Sequence, residues 1–267
     1  MIELGLTGRR ALVAGAGHRP PRPGIGRAAA LALAEAGCRV ACVDLDASRA
    51  AAVAEEITAG GGEAIAVTAD LTDRDGAAQA VAAAVDAFGG LDVVADVIGE
   101  ARWGSVLDFT DEDWEWSLAT NLRQAFLVMQ AAARQMVAQG TGGAMAVVSS
   151  VDSLTSSANH VAYGAAKAGL LNLVKTFAEE LGRFGIRANA VLPGMVWSPT
   201  EQQHEPPPGN AINPLRQPSM DDIARALTFF VSDLAGAVTG QALAVDGGAS
   251  IKNEWGIRAQ FPTLTGD

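Results

Sequence analysis

Three side chains that could form a proton-transfer device are separated by short intervals in this chain. Tyr163 and Lys167 are four residues apart, and Ser150 precedes the tyrosine by thirteen residues. On a helix, a spacing of four places two side chains on one face, one turn apart. An unperturbed phenol titrates near pH ~10, but a neighbouring ammonium group favours the phenolate. We therefore predict that Lys167 lowers the pKa of Tyr163, while Ser150 holds the reacting oxygen by a hydrogen bond.

The elements around these residues alternate between apolar strands and helices. The predicted strands cover residues 10–15, 39–45, 64–69, 91–98, 144–149, 186–192 and 241–245. The predicted helices cover residues 27–36, 47–59, 74–88, 111–139, 158–183 and 221–232, with Thr110 or Asp111 as the cap of the fourth. This alternation predicts an α/β fold in which right-handed crossovers join the strands of a doubly wound parallel sheet.

Size and charge favour one domain that binds a small molecule. With 267 residues and 27.3 kDa, the chain is about as large as one hydrophobic core becomes, and no linker divides residues 1–267. The net charge of −11 argues against a nucleic-acid partner, which needs a basic surface. The chain has neither a run of eighteen apolar residues nor a signal-peptide pattern. We therefore expect no membrane partner and a cytoplasmic location.

The cysteines and histidines do not suggest a metal centre or a disulfide. Cys38 and Cys42 fall on one predicted strand, where extended backbone would separate them by about 13 Å, too far for a disulfide bond. We expect both to be small buried hydrophobic residues. The three histidines are scattered along the chain, so we predict no metal site.

A glycine cluster between the first strand and the first helix has the composition of a dinucleotide-binding loop. Its residues are Gly15, Gly17, Gly24, Ile25 and Gly26. Glycines at such a turn allow the backbone to approach a pyrophosphate closely, and the helix N-terminus then presents free N–H groups. The cluster alone is weak evidence, but its place directly after the first strand strengthens it.

Asp44 lies eighteen residues beyond Gly26, at the end of the second predicted strand. A carboxylate there accepts hydrogen bonds from the ribose hydroxyls and repels a 2′-phosphate, so NAD is the expected cofactor rather than NADP. The alternative is that Asp44 only caps a helix or closes a turn.

These residues together resemble the short-chain dehydrogenase/reductase family over essentially the whole chain. The further matching residues are Asp70-Leu71, Asn121, Pro193-Gly194, Val238-Thr239-Gly240-Gln241 and Val245-Asp246-Gly247-Gly248. The resemblance implies a Rossmann-type, three-layer α/β/α domain of seven strands in the order 3-2-1-4-5-6-7. It also implies a catalytic tetrad of Asn121, Ser150, Tyr163 and Lys167.

The resemblance assigns a role to several of these positions. Tyr163 would be the general acid/base, and Lys167 would also bind the nicotinamide ribose. The counterpart of Asn121 holds a water that connects the lysine to solvent. The remaining implied cofactor contacts are Asp70 and Leu71 near the adenine, Gly99 at the floor of the cofactor site, and Pro193, Gly194 and Val196 along the nicotinamide. The two longest helices, 111–139 and 158–183, would build a homodimer or homotetramer, and Trp255 and Phe261 in the tail could pack across another subunit contact.

The glycine loop departs from the family pattern by an insertion. Eight residues separate Gly15 from Gly24, where the family usually has three between its first two motif glycines. The extra segment, His18–Pro23, contains three prolines, which keep it out of a helix. One hypothesis is that it folds over the pyrophosphate, with Arg19 or Arg22 pairing with phosphate charges. The other is a solvated surface protrusion.

A second departure lies at the end of the fourth strand. The family usually has Asn-Asn-Ala-Gly there, and this chain has Asp96-Val97-Ile98-Gly99. A buried, unpaired carboxylate is costly, so we expect Asp96 to have hydrogen-bond donors or a raised pKa.

The substrate would bind beyond the carboxyl ends of the strands. The candidate pocket residues in the segments that emerge there are Arg102, Trp103, Asp152, His160, Met195 and Trp197. Arg102 would either meet an acidic substrate group or pair with Glu100 or Asp96, and His160 is either a rim contact or an ordinary loop histidine. No role is assigned to His204. Residues 193–218, rich in proline from 199 onward, are predicted to form a lid over the substrate.

The function predicted from these features is an NAD-dependent oxidoreductase that interconverts a secondary alcohol and a ketone by hydride transfer. Two alternatives remain open. One is an NADPH-dependent reductase of a 3-oxoacyl thioester, and the other is a dinucleotide-binding sensor without turnover.

Overall fold

Seven parallel strands form one sheet in the order β3-β2-β1-β4-β5-β6-β7 in the computed structural model, which describes residues 3–18, 24–197 and 214–251. The strands are Arg10–Ala14 (β1), Arg39–Asp44 (β2), Glu63–Thr68 (β3), Val93–Asp96 (β4), Gly143–Val148 (β5), Ile186–Pro193 (β6) and Ala242–Val245 (β7). The helices are Ile25–Glu35 (α1), Ala47–Ala59 (α2), Arg74–Phe88 (α3), Asp111–Leu118 (α4), Gln124–Gln139 (α5), Val161–Leu181 (α6) and Met220–Val231 (α7). The predicted strand order is confirmed.

The small apolar residues of the sheet allow helices to pack on both of its faces. On β1, Leu12 and Ala14 face a core that includes side chains of α3, α5 and α6. Their neighbours Ala11 and Val13 face a second core, with side chains of α1, α2 and α7. All four β1 residues are fully buried, as expected for a parallel strand covered on both sides. The domain is therefore the three-layer α/β/α sandwich that was predicted.

Several helix boundaries follow from short polar caps. Asp46 accepts hydrogen bonds from the main-chain N–H groups of Ser48 and Arg49 at the start of α2, and Asp73 caps α3 in the same way. Gly89, with a φ of 79°, ends α3 in the left-handed conformation that favours glycine. These signals are local, and both helices span the residues predicted from the sequence.

The predicted helix 111–139 is interrupted by a π-helical segment. Thr110 caps α4 through a hydrogen bond from the Asp113 N–H, which confirms the predicted start. The segment Ala119–Arg123 then adopts π-helical hydrogen bonding before α5 begins. Such segments are frequent at functional sites, and Asn121 lies at the middle of this one.

Cys38 and Cys42 are free and buried, as predicted. Burial raises the pKa of each thiol to about 12, so neither is a reactive thiolate near neutral pH. Among residues 3–18, 24–197 and 214–251, no helix is long and apolar enough to cross a membrane.

Candidate active site

Tyr163, Lys167 and Ser150 meet at the carboxyl edge of the sheet. Tyr163 and Lys167 project from successive turns of α6, and the Lys167 Nζ lies 5.6 Å from the centre of the phenol ring. Ser150 follows the end of β5, and its side chain is close enough to the phenol to lower the phenol pKa by a hydrogen bond. The structure therefore brings together the three residues from which the proton-transfer prediction started.

Lys167 is held rigidly inside the protein. Its side chain is 1% exposed, and Nζ donates hydrogen bonds to the carbonyl oxygens of Ile98, at 3.1 Å, and Val148, at 2.9 Å. Burial lowers its pKa to about 8, although the negative charge of Asp96 opposes that shift. An ammonium has three donors, so the two carbonyls leave one of them for another group.

The expected lowering of the Tyr163 pKa by Lys167 was wrong for the chain by itself. Burial raises the pKa of Tyr163 above the usual phenol value; the Ser150 hydrogen bond lowers it, and the nearby Asp152 carboxylate raises it further. Desolvation disfavours a phenolate whatever the neighbours are, and the buried ammonium does not overcome this. A further positive charge beside the phenol would favour the phenolate.

Asn121 connects the π-helical segment to the loop after β4. Its Nδ2 donates to the carbonyl oxygens of Glu100, at 2.8 Å, and Ser117, at 2.9 Å, and its Oδ1 accepts from the Glu100 N–H at 3.2 Å. A Cβ atom added to Gly99 would lie 2.9 Å from the Lys167 Nζ and 3.5 Å from Oδ1 of Asn121. Asn121, Gly99 and Lys167 therefore meet at one point, as the tetrad requires.

The glycine loop and the ends of β2 and β4 enclose a cleft of about 830 Å³. Its lining includes all five predicted loop residues, Gly15, Gly17, Gly24, Ile25 and Gly26, together with Asp44, Asp70, Leu71 and Gly99. Residues that the sequence did not single out also line it: Arg49, Trp116, Ala119, Thr120 and Gln124. Only proximity in the fold, and not spacing along the chain, identifies these additional residues.

The loop conformation depends on two of its glycines. Gly15 has a φ of 79°, in the left-handed region, and a Cβ atom there would lie 2.8 Å from the Ile98 side chain. A Cβ atom at Gly26 would lie 1.8 Å from the carbonyl oxygen of Gly15, a contact that no side-chain adjustment relieves. α1 starts after Gly24 without a side-chain cap and without an acidic residue in its first turn. Its first N–H groups therefore suit the phosphates of a dinucleotide.

The described residues on either side of residues 19–23 lie close together. A Cβ atom at Gly24 would lie 3.2 Å from the Gly17 carbonyl oxygen and 3.7 Å from the Cα atom of His18. Residues 19–23, including Arg19 and Arg22, lie outside the described residues, so both hypotheses for the insertion stay open predictions.

Asp44 faces the cleft with both carboxylate oxygens engaged by main-chain groups. Oδ2 accepts from the Gly17 N–H at 3.1 Å, and Oδ1 accepts from the Asp46 N–H at 2.9 Å. The turn-closing role considered as an alternative is therefore present, and the same carboxylate lines the cleft. Its predicted contact with a ribose remains a prediction. Asp70 similarly closes a turn, because its Oδ1 accepts from the main chain and hydroxyl of Thr72.

Asp96 has both features expected of a buried carboxylate. It is 2% exposed, and Oδ1 accepts from the Ile98 N–H and the Gln124 side chain, each at 3.2 Å. Burial raises its pKa to about 6, while these hydrogen bonds and the charge of Lys167 act in the opposite direction. Its other oxygen and the Gln124 Oε1 are buried without a hydrogen-bond partner in the described part of the chain.

Pro193, Gly194 and Val196 continue from β6, next to the end of β7. Pro193 is level with Val245, and the Gly194 N–H donates to the Val245 carbonyl oxygen at 3.2 Å. Within the described chain, these residues do not line the 830 Å³ cleft. Their predicted contact with the nicotinamide remains a prediction.

The substrate end contains the other predicted pocket residues. Arg102 pairs with Asp113, at 2.6 Å, and lies over the Trp116 ring. Its predicted pairing with Asp96 was wrong, because Asp96 is hydrogen-bonded to Ile98 and Gln124 instead. Trp103 is 68% exposed and stacks on His160. Met195 is 71% exposed, and the Trp197 Nε1 is buried without a partner among the described residues.

Parts of the predicted lid and tail are outside the described residues: 198–213, with His204, and 252–267, with Trp255 and Phe261. No group of three or more His, Cys, Asp or Glu side chains in residues 3–18, 24–197 and 214–251 could hold a metal ion.

Comparisons with known proteins agree with this architecture. The family model described as "Enoyl-(Acyl carrier protein) reductase" matches residues 21–250. An L-rhamnose 1-dehydrogenase (NAD(P)(+)) from Azotobacter vinelandii is 44% identical over 84% of this chain and 92% of its own length. A D-threitol dehydrogenase from Mycolicibacterium smegmatis is 35% identical over 94% of this chain and 96% of its own.

A solved structure with the same architecture is a short-chain type dehydrogenase/reductase from Mycobacterium marinum. It superposes with a TM-score of 0.84 at 29% identity and covers 94% of this chain and 98% of that chain.

Proposed function

This chain belongs to the short-chain dehydrogenase/reductase family and is an NAD(P)-dependent oxidoreductase acting on CH–OH groups, and on that premise we propose that it oxidises a secondary hydroxyl group of a sugar or sugar alcohol with NAD. The observation that carries the proposal is the convergence of Ser150, Tyr163 and Lys167 beside the glycine-loop cleft. The sensor alternative has no need of this acid/base group.

Each tetrad residue has a role that follows from its contacts. Ser150 and Tyr163 bind the substrate oxygen, and Tyr163 accepts its proton when the alcohol is oxidised. Lys167 uses its remaining N–H donor for a ribose hydroxyl of the cofactor. Asn121 fixes the main chain at Glu100, next to Gly99, through both polar atoms of its side-chain amide. NAD, when bound, supplies the hydride acceptor and a positive charge that favours the Tyr163 phenolate.

The substrate class is supported by the relatives and by the pocket. Two relatives are named for L-rhamnose and D-threitol, a sugar and a sugar alcohol. The substrate end of this chain combines an exposed indole, Trp103, with a partly buried Asp152–His160 pair. Aromatic faces cover C–H groups while polar groups orient hydroxyls, a combination suited to a polyhydroxylated ring or chain.

The choice of NAD is supported by Asp44. Its carboxylate faces the cleft at the end of β2, where it would accept from the ribose hydroxyls and repel a 2′-phosphate. Arg49, the cation nearest to it in the cleft lining, is paired with Asp46 at 3.4 Å. Use of NADP would require that arginine to turn toward the phosphate.

A second candidate function is reduction of a carrier-linked acyl thioester. The description of the matching family model names an acyl-carrier-protein reductase, and such chemistry would be expected to use NADPH. Asp44 disfavours that cofactor, so comparing NADH and NADPH oxidation with an acetoacetyl thioester separates the two functions.

The proposal is tested by assaying the purified protein with NAD against L-rhamnose, D-threitol and a panel of cyclic, aromatic and steroid alcohols. We expect turnover with at least one sugar or sugar alcohol and a preference for NAD over NADP. Tyr163→Phe should keep NADH binding and lose at least about a hundredfold in kcat, because general acid/base catalysis contributes 10²–10⁴-fold. Substantial turnover by Tyr163→Phe would refute the role of the phenol.

We also propose assembly into homodimers or homotetramers in the cytoplasm. The β7 edge supports assembly, since Ala242, Leu243 and Ala244 are exposed on this edge strand of the sheet. Light scattering of the purified protein would measure the assembly directly.

A further inference from the structure

A histidine and an aspartate lie beside Tyr163 and have no role in the tetrad. The His160 Nδ1 and the Asp152 Oδ2 are 2.6 Å apart, and the two side chains are 13% and 9% exposed. The other Asp152 oxygen accepts a hydrogen bond from the Ser157 hydroxyl at 2.7 Å. Because both of its oxygens are engaged, Asp152 is a fixed support for His160.

The second nitrogen of His160 has nothing to bind. Nε2 is buried and has no hydrogen-bond partner among the described residues. An ionised carboxylate only accepts hydrogen bonds, so Nδ1 carries the proton, and Nε2 of the neutral ring is an acceptor. Leaving a buried acceptor unpaired costs free energy, and such groups in folded proteins call for an explanation. A ligand hydroxyl at Nε2 would remove that cost.

The imidazole lies between the catalytic phenol and the indole at the mouth of the site. Its ring centre is 5.0 Å from that of Tyr163 and 3.6 Å from that of Trp103. The Trp103 side chain is largely exposed on its other side. A substrate whose reacting oxygen meets Tyr163 therefore has its adjoining atoms next to His160.

The backbone conformation of the residue before His160 helps to place the imidazole ring. Asn159 has a φ of 64° and is the one non-glycine residue in the described chain with a positive φ. Asparagine tolerates this conformation better than most residues, but it is uncommon. The Asn159 carbonyl oxygen also accepts from the Gly104 N–H at 3.1 Å. This contact fastens the loop that carries Trp103 to the start of α6.

We propose that the Nε2 of His160, held by Asp152, binds a second substrate hydroxyl on the carbon next to the one that is oxidised. The inference rests on the proposed function and deepens it, because it makes His160 the residue that selects a vicinal diol over a simple alcohol. Tyr163 and Ser150 hold the reacting oxygen in either case.

The test compares cyclohexane-1,2-diol with cyclohexanol, which differ only in the neighbouring hydroxyl group. In the wild-type enzyme we expect kcat/KM to be at least about tenfold higher for the diol, because a site that hydrogen-bonds a hydroxyl disfavours the analogue without it. His160→Phe keeps a flat ring against Trp103 but has no nitrogen. It should lower the diol value by about tenfold or more and leave the cyclohexanol value within about twofold.

Two further variants separate this role from a structural one. His160→Gln retains an amide near the position of Nε2 and should recover part of the diol preference. Thr176→Ala removes an exposed hydrogen bond to Asn172 on the same helix, and it should leave both substrates unaffected. The NADH dissociation constant, measured for every variant, should stay at the wild-type value.

The outcomes distinguish the inference from the function beneath it. An equal loss for both substrates in His160→Phe, or no diol preference in the wild type, would overturn the role of His160. Turnover of L-rhamnose or D-threitol would still support the proposed function in that case. If the wild type oxidises neither sugars nor diols but accepts simple alcohols, the proposed substrate class fails and the His160 role fails with it.

Discussion

The nucleotide end of the cleft is built mainly from main chain, whereas the substrate end is built from side chains. At the nucleotide end, the absence of Cβ atoms at Gly15 and Gly26 shapes the loop, and uncapped N–H groups of α1 face the cleft. At the substrate end, Trp103, Asp152 and His160 define the surface through their rings and charges. One cofactor can therefore be kept while the substrate changes, because side chains can be exchanged without moving the backbone.

The largest effect is expected from Gly26→Ala, which disrupts the main-chain geometry at the nucleotide end of the cleft. The added methyl group would lie 1.8 Å from the carbonyl oxygen of Gly15, so the loop must move. We expect NADH binding to weaken by at least about a hundredfold, since backbone strain of this kind costs several kcal/mol. Isothermal titration calorimetry measures the change.

Gly182→Ala is the matched control for that substitution. Gly182 has ordinary helical dihedrals, and a Cβ atom there would have no neighbour within 4 Å. Equal NADH affinity for the two glycine variants would contradict a nucleotide end defined by main-chain geometry.

The next effect concerns Asp96, which lies between the two ends. Its folded-state pKa of about 6 exceeds the ordinary 3.8, so its favourable contribution is complete below pH 3.8 and is lost as the pH rises to about 6. Asp96→Asn cannot ionise, so its free energy of unfolding relative to wild type should increase across that interval by on the order of 1–3 kcal/mol.

Urea unfolding of both proteins at several pH values from 4 to 7 checks this dependence. Asp86→Asn is the control, because it removes the same formal charge from an exposed position on α3, where the carboxylate is not desolvated. A parallel pH dependence in Asp96→Asn and wild type would show that the Asp96 carboxyl does not carry the raised pKa.

A smaller effect is expected from Asp44, the carboxylate that we expect to select NAD over NADP. Asp44→Ser removes the charge that repels a 2′-phosphate, so the ratio of kcat/KM for NAD to that for NADP should fall about tenfold or more. Glu55→Gln removes an exposed charge from α2 and should leave the ratio unchanged. An unaltered ratio in Asp44→Ser would mean that Asp44 only closes the turn to Asp46.

The smallest effect is a change in the pKa of Tyr163 at the substrate end. Tyr163 is the only tyrosine in the chain, so the ultraviolet difference absorbance of tyrosinate reports on it alone. We expect its pKa to lie above the usual phenol value in the protein by itself, because burial raises it, and to fall when NAD adds a positive charge.

Tyr163→Phe provides the blank for that titration. A Tyr163 pKa that is already below 10 before NAD is added would restore the original expectation that Lys167 alone acidifies the phenol.

The sequence was sufficient for the features that depend on local signals. The glycine positions, the Tyr163–Lys167 spacing and the cap at Thr110 each act within a few residues, and the structure has them where they were predicted. The sheet order followed from the family resemblance and is confirmed.

Other features depend on distances between segments that no pattern encodes. Residues 119–123 have the composition of an ordinary helix, so their π-helical turn gave no signal. The pairing of Arg102 with Asp113 depends on the path of the loop before α4. The raised pKa of Tyr163 depends on how deeply α6 is buried. The pairing of His160 with Asp152 follows from the unusual backbone at Asn159, which the sequence Ser-Ala-Asn-His does not reveal.

The two buried thiols make this chain a ready background for site-specific labelling. At neutral pH, Cys38 and Cys42 are protonated and shielded from solvent, so a maleimide dye should not react with them. The variant Leu107→Cys, at a position 89% exposed on the loop after Trp103, would then carry a single dye. Its emission could report, in real time, when a substrate enters the cleft.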